Sequence, residues 1–234
     1  MGGSDRSGQD GNGSSDFGPA TREGRKARSR QCILDAAREV FFRDGFMAAN
    51  LDEVAERSGV AKGTLYRYFE NKADLYVAVL ADDGDAFTNR LRESTAGRDR
   101  ALDQLLRLGD FYYRHWIDHP EYFQIFWAVD NQAVIGDLPA GVVSEISRLW
   151  EQNLRILNGL LEQAVEQGDL KDCDCWEVAN LLWITANALI QSEAAHERRE
   201  LRRIPLDRLY RNAIRYILQG LATPAAGSIV DEGA

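Results

Sequence analysis

Residues 62–68 gather two cations, a hydroxyl and two phenols: Lys62, Thr64, Tyr66, Arg67 and Tyr68. Only Leu65 and Phe69, four apart, read as inward-facing on a helix of this length. Such a mixture exceeds what solubility asks of so short a stretch. It suits a groove lined with phosphates. Arginine and lysine can read guanine edges, threonine can touch a base or its methyl group, and tyrosine hydroxyls can hold phosphates. Just downstream, Asn71-Lys72-Ala73-Asp74 has an N-cap residue and a cation at a helix start. Free backbone N–H groups there, with Lys72, offer a second phosphate site.

Other reactive constellations are weaker. His115 and His119 stand four apart, a spacing able to bind a metal, but a third ligand would have to be Glu121 or a distant residue. Cys173-Asp174-Cys175 is a C-x-C pair with no second pair to complete a zinc site, and Cys32 reads as a small core or boundary residue. A plain interhelical turn is a simpler reading of the pair than metal or redox sensing. The chain has no phosphate-binding glycine loop, no G-x-G-x-x-G after a strand and no nucleophile elbow. No enzyme and no cofactor are expected.

The 234 residues carry a net charge of −9, unevenly spread. Residues 22–72 hold eleven Lys/Arg against eight Asp/Glu, whereas residues 73–234 hold sixteen against twenty-six. A mildly basic module precedes an acidic remainder, so a polyanion would dock on the basic face alone. The N-terminus lacks an apolar leader, and the longest apolar-rich run, residues 178–190, falls short of the ~20 residues a bilayer needs. A cytoplasmic protein without membrane contact is the expectation.

The elements that must position these residues read as all-α, about nine helices. Residues 1–21 have almost nothing to bury and read as a disordered tail. The basic run Arg22 to Arg30 reads either as a solvated lead-in or as an arm for phosphates or a minor groove. A first helix spans about Ser29–Asp44, with Gly45 as its C-cap. Asn50 with Glu53 forms a capping-box pattern for a short second helix. Gly59 turns the chain into the third. Further helices follow over about 72–94, 99–118, 121–129, 139–168 and 174–195, and from Pro205 to about 221. The arginines from 198 to 203 read as a solvated connection. Gly109, inside the apolar face of residues 102–117, signals either a close helix crossing or room for a ligand. The segments are therefore a tail (1–21), a three-helix helix-turn-helix domain (22–71), a larger helical domain (72–222) and a mobile tail (223–234).

Residues 29–80 resemble the N-terminal DNA-binding domain of the TetR family of repressors. The likeness runs from Ile33-Leu34-Asp35-Ala36-Ala37 through Phe41, Gly45, Val54-Ala55 and Ser58-Gly59-Val60 to Lys62–Phe69 and Asn71-Lys72. It implies a homodimer, paired through its last two helices, on a palindromic operator in double-stranded DNA. It places Lys62, Gly63, Thr64, Tyr66, Arg67, Tyr68 and Lys72 at the DNA. Ala48-Ala49-Asn50 departs from the family, which favours Ser or Thr there, so Asn50 would supply that phosphate contact. The resemblance further implies a small-molecule pocket in the second domain. Candidate walls are Phe111, Tyr112, Trp116, Phe123, Phe126, Trp127, Trp150, Trp183 and Asn187, and so many aromatics suggest an apolar or aromatic effector. A helical enzyme, or a member binding protein in place of DNA, is the alternative.

Overall fold

The computed structural model describes residues 22–97, 99–120, 122–123, 138–194 and 196–226. Nine α-helices and two 3-10 turns occupy them. They are α1 Arg22–Ala48, α2 Leu51–Arg57, α3 Lys62–Tyr68, α4 Lys72–Ser94, α5 Ala101–Asp118, α6 Ala140–Glu166, α7 Cys175–Gln191, α8 His196–Arg202 and α9 Leu206–Leu221. The expected tail 1–21, most of the helix expected at 121–129 with its Phe126 and Trp127, and residues 227–234 lie outside the described residues. No described helix is long and apolar enough to cross a membrane.

Helix α1 is longer than its apolar spacing suggests. It begins at Arg22, so the basic run is helical, and it continues past Gly45 through a break at φ 75°, ψ 168°. Apolar periodicity could not reveal the first two turns because they bury nothing. The break turns Phe46 back beside Phe41 and Tyr76, with ring centroids 6.4 and 5.0 Å away. Cys32 is exposed rather than in the core.

Caps set the next two starts. Asn50 accepts from the Asp52 amide at 2.9 Å, but the expected capping box does not close. Glu53 instead accepts from Arg43 at 2.8 and 2.9 Å and from Arg57 at 2.7 Å. Those two hydrogen bonds hold its carboxyl down at about 2. Asn71 caps α4 as expected, accepting from the Asp74 amide at 2.9 Å.

Helix α4 joins the two parts of the molecule. It packs on α1 and on α6. The Arg38 guanidinium of α1 donates to Asp83 at 2.8 Å and to Asp82 at 2.8 Å on α4, binding the two helices through charge. The close crossing falls at Gly84, where an added Cβ would sit 2.5 Å from both methyls of buried Leu149 on α6. Beyond α4, helices α5, α6, α7 and α9 enclose a second core around Leu105, Leu161, Leu182 and Leu218. The stretch expected to be a solvated connection holds the 3-10 turn Ser192–Ala194 and α8, where Arg202 pairs with Glu193 at 2.8 Å. At the far end Thr223 donates its amide to the Asp169 carbonyl at 2.9 Å and its hydroxyl to the Gly168 carbonyl at 2.6 Å, leading into the turn Pro224–Ala226.

Candidate nucleic-acid interface and effector cavity

Helix α3 is held from below and bare above. Leu65 and Phe69 are buried against α1 and α2, and Gly59 makes the preceding turn at φ 69°, a backbone state that costs glycine little. Lys62, Gly63, Tyr66 and Arg67 are exposed, and Thr64 and Tyr68 are half-buried. Thus all the α3 candidates lie on one short element, with Asn50 exposed at the start of α2. Lys62 pairs with Asp52 at 2.5 Å, an exposed and solvent-screened pair that a phosphate can displace. The Lys62 ammonium is shifted up by that hydrogen bond, so it stays charged.

Lys72 is placed differently. Its ammonium donates to the Met47 carbonyl at 2.8 Å and the Ala49 carbonyl at 2.9 Å, and lies 5.3 Å above the Phe46 ring. Burial lowers its pKa. An ammonium has three donors, so one remains beyond these two carbonyls. The side chain therefore fastens the end of α1 to the start of α4 while retaining a hydrogen for an anion.

In the second domain, a cavity of about 50 Å³ opens among α4, α5, α6, α7 and α9. Its walls are Leu91; Leu105, Leu108, Gly109 and Tyr112; Asn153, Leu154 and Leu157; Leu182, Trp183 and Ala186; and Tyr210, Ile214 and Leu218. Of the expected aromatic set, Tyr112 and Trp183 are walls. Asn187 stands behind them: it accepts from the Tyr112 hydroxyl at 2.7 Å and donates to the Trp183 carbonyl at 2.8 Å. Burial raises the Tyr112 phenol well above its ordinary value. Phe111, Trp116 and Phe123 are not among the walls. Phe111 and Trp116 pack on Phe87, at 5.8 and 5.2 Å, and Phe123 meets Trp116 at 5.6 Å. Trp150 lies edge-on to Trp183 at 5.5 Å.

The two histidine rings lie tilted to each other with centroids 5.0 Å apart, and no group of three potential metal ligands occurs among the described residues. Burial, then Arg90 and His119, pushes His115 down to about 4. Cys175 Sγ lies 3.8 Å from the Cys173 carbonyl, and burial raises its thiol to about 11, leaving little thiolate at neutral pH.

Residues 33–79 match the sequence family described as bacterial regulatory proteins, tetR family. The fatty acid metabolism regulator protein of Bacillus subtilis is 25% identical over 145 residues, 60% of this chain and 70% of that one. The transcriptional activator FasR of Mycolicibacterium smegmatis is 44% identical over 62 residues, 26% of this chain and 28% of its own length. Among solved structures, the regulator FadR from Bacillus subtilis in complex with stearoyl-CoA superposes with a TM-score of 0.66 at 20% identity, covering 82% of this chain and 98% of that one.

Residues 33–79 therefore carry a TetR-type helix-turn-helix. Helices α1 to α3 form this DNA-binding unit, and the remaining described helices form a second, helical domain. Sequence reasoning missed most of the cavity. Leu105, Leu154, Leu182 and Leu218 look like any other core leucines, and only the mid-helix glycine, Gly109, marked the place in advance. Its added Cβ would meet nothing closer than Ile214 Cγ2 at 3.9 Å, so the reading as room rather than crossing is the one the geometry fits.

Proposed function

We propose that the protein is a ligand-responsive repressor that binds a palindromic operator as a homodimer and is released by a small apolar effector. The observation that carries the reading is α3, anchored by Leu65 and Phe69 alone and presenting Lys62, Thr64, Tyr66, Arg67 and Tyr68 outward. In a dimer, two such helices enter successive major grooves about 34 Å apart. Gly63 lets α3 approach the duplex closely, and Asn50 and Lys72 add phosphate contacts on either side. Apolar side chains left exposed on α7 and α9 support these helices as the dimer face. Leu181, Ile184 and Tyr216 are 51%, 58% and 61% exposed. Exposed Ala188 lies beside them on α7, and half-buried Leu209, Ala213 and Ile217 on α9.

The effector reading rests on the aliphatic walls around Gly109. Ligand sites typically enclose about 300–1,000 Å³, so a cavity of about 50 Å³ is the closed form. Seating a ligand must part α5 from α9, and α4 moves with the Leu91 wall. Arg38, paired to Asp82 and Asp83, passes that displacement to α1 and the spacing of the two α3 helices. A coupling of ~1–3 kcal/mol is typical of such systems. The name of one relative, a fatty acid metabolism regulator, and the stearoyl-CoA held by one solved neighbour support a long apolar chain as the effector. A smaller cleft shares Gly109, Tyr210 and Ile214 with the cavity and has Arg211 at its edge, a place for an anionic end of such a chain.

Fluorescence anisotropy of an operator duplex, titrated with a long-chain fatty acid and separately with its coenzyme A thioester, tests the reading. Release by either, with none by a short-chain homologue, is expected. An operator complex untouched by every apolar ligand that raises the melting temperature would overturn it.

A further inference from the structure

The cations of the DNA-binding unit divide sharply into occupied and unoccupied. Arg38 is spent on Asp35, Asp82 and Asp83, Arg43 on Asp44 and Glu53, and Arg57 on Glu39 and Glu53. Lys62 pairs with Asp52, and Lys72 holds two carbonyls. Arg25, Lys26, Arg28, Arg30 and Arg67 form no ion pair with an acid among the described residues of this unit. Three of them, Arg25, Lys26 and Arg67, line one surface cleft of about 520 Å³, together with Ser29 and Tyr68.

That cleft is built by two helices fastened to each other. The Tyr68 hydroxyl of α3 donates to the Lys26 carbonyl of α1 at 3.3 Å. The Arg30 guanidinium lies 5.5 Å from the centre of the Phe69 ring, and Arg67 lies 5.7 Å from that of Tyr68. The first turns of α1 bury no apolar side chain, so packing does not explain why residues 22–29 are helical and leaning on α3. Their placement sets Arg25 and Lys26 beside the helix that faces the groove.

We propose that this cleft is a second grip on the DNA backbone: Arg25 and Lys26, with Arg67 opposite, take phosphates of the duplex strand flanking the groove that α3 enters. The inference rests on the DNA-binding reading above and adds to it contacts from the first turns of α1. These contacts carry no base information, so they strengthen binding to all sequences alike. They compensate for an α3 only seven residues long. A basic partner is repelled here, and a nucleic-acid backbone continuous with the α3 groove is the anionic occupant that the charge and position select.

The test uses the full chain and two 30-base-pair duplexes, one recovered by genomic selection and one of scrambled sequence, with anisotropy read from low to moderate salt. Each lost phosphate contact removes about 0.9 from the slope of log affinity against log salt. Arg25→Ala/Lys26→Ala removes two per subunit, so the slope should fall by about 3 to 4 per dimer on both duplexes, with the preference between them kept. Arg25→Lys/Lys26→Arg should restore it. Arg28→Ala, the loss of one charge per subunit on the same helix but outside the cleft, should change the slope by under about one. Melting curves should match the wild type throughout, since both side chains are exposed. A wild type that binds neither duplex defeats the DNA-binding reading itself. A wild type that binds while Arg25→Ala/Lys26→Ala keeps its slope, or while Arg28→Ala costs as much per charge, overturns the grip alone.

Discussion

Replacing Gly109 by alanine should stabilise the protein, and the same exchange at Gly84 should destabilise it. Both glycines lie inside long helices, where glycine costs ~1 kcal/mol relative to alanine. At Gly109 the new methyl reaches only Ile214 Cγ2, at 3.9 Å, an ordinary contact at the cavity wall. The propensity gain is then retained whole. About 1 kcal/mol raises the melting temperature by roughly 2–4 °C in a domain of this size. At Gly84 the methyl arrives 2.5 Å from both Leu149 methyls, and Leu149 is itself fully buried and cannot swing into solvent. Overpacking of this kind costs ~1–3 kcal/mol, which cancels or exceeds the gain. Circular dichroism melts of the two variants beside the wild type decide the matter. If Gly109→Ala lowers the melting temperature, α5 and α9 cross tightly there and the room assigned to the cavity does not exist. If Gly84→Ala raises it, the α4–α6 crossing is looser than described.

Other outcomes follow from individual contacts. Tyr112→Phe strips the hydrogen from buried Asn187 Oδ1 and should cost ~1–3 kcal/mol in a chemical denaturation curve; a loss below a few tenths would mean the amide finds another donor. Ile184→Arg places a charge in the apolar stripe of α7 and should shift sedimentation from dimer to monomer while weakening operator binding, and an unchanged dimer would remove that stripe from the interface. His115 is held at about 4, below its ordinary 6.5. The folded state therefore resists protonation, and the stability this histidine supports is present above pH 6.5 and lost as pH falls towards 4. His115→Gln should flatten the fall in melting temperature across that window, whereas a parallel curve would show that His115 is not responsible.

How much of this could be read from the residues themselves depends on whether burial or emptiness was at stake. The helices that bury a stripe, α4 to α7 and α9, were placed within a few residues because apolar side chains recur at 3–4 spacing. The start of α1 was not, because residues 23–28 bury nothing and leave no period to read. Capping was half legible: Asn50 and Asn71 cap as expected, but Glu53 serves Arg43 and Arg57, partners distant or ambiguous in sequence. Lys72 was legible as a cation near a helix start, while its two carbonyl partners depend on how the chain returns past Gly45. The cavity was least visible. A void among leucines is made by side chains that are absent, and aromatic residues drew attention to Phe111 and Trp116 at the neighbouring Phe87 stack instead.

Selection of genomic DNA fragments by the purified full-length protein, followed by footprinting of the enriched sites, tests the central claim most directly. The account predicts enrichment of an inverted repeat whose halves are protected about one helical turn, ~34 Å, apart, and loss of that enrichment in Thr64→Ala/Arg67→Ala. Fragments recovered no more often than the input library, or a double variant that enriches the same sites as the wild type, would contradict it.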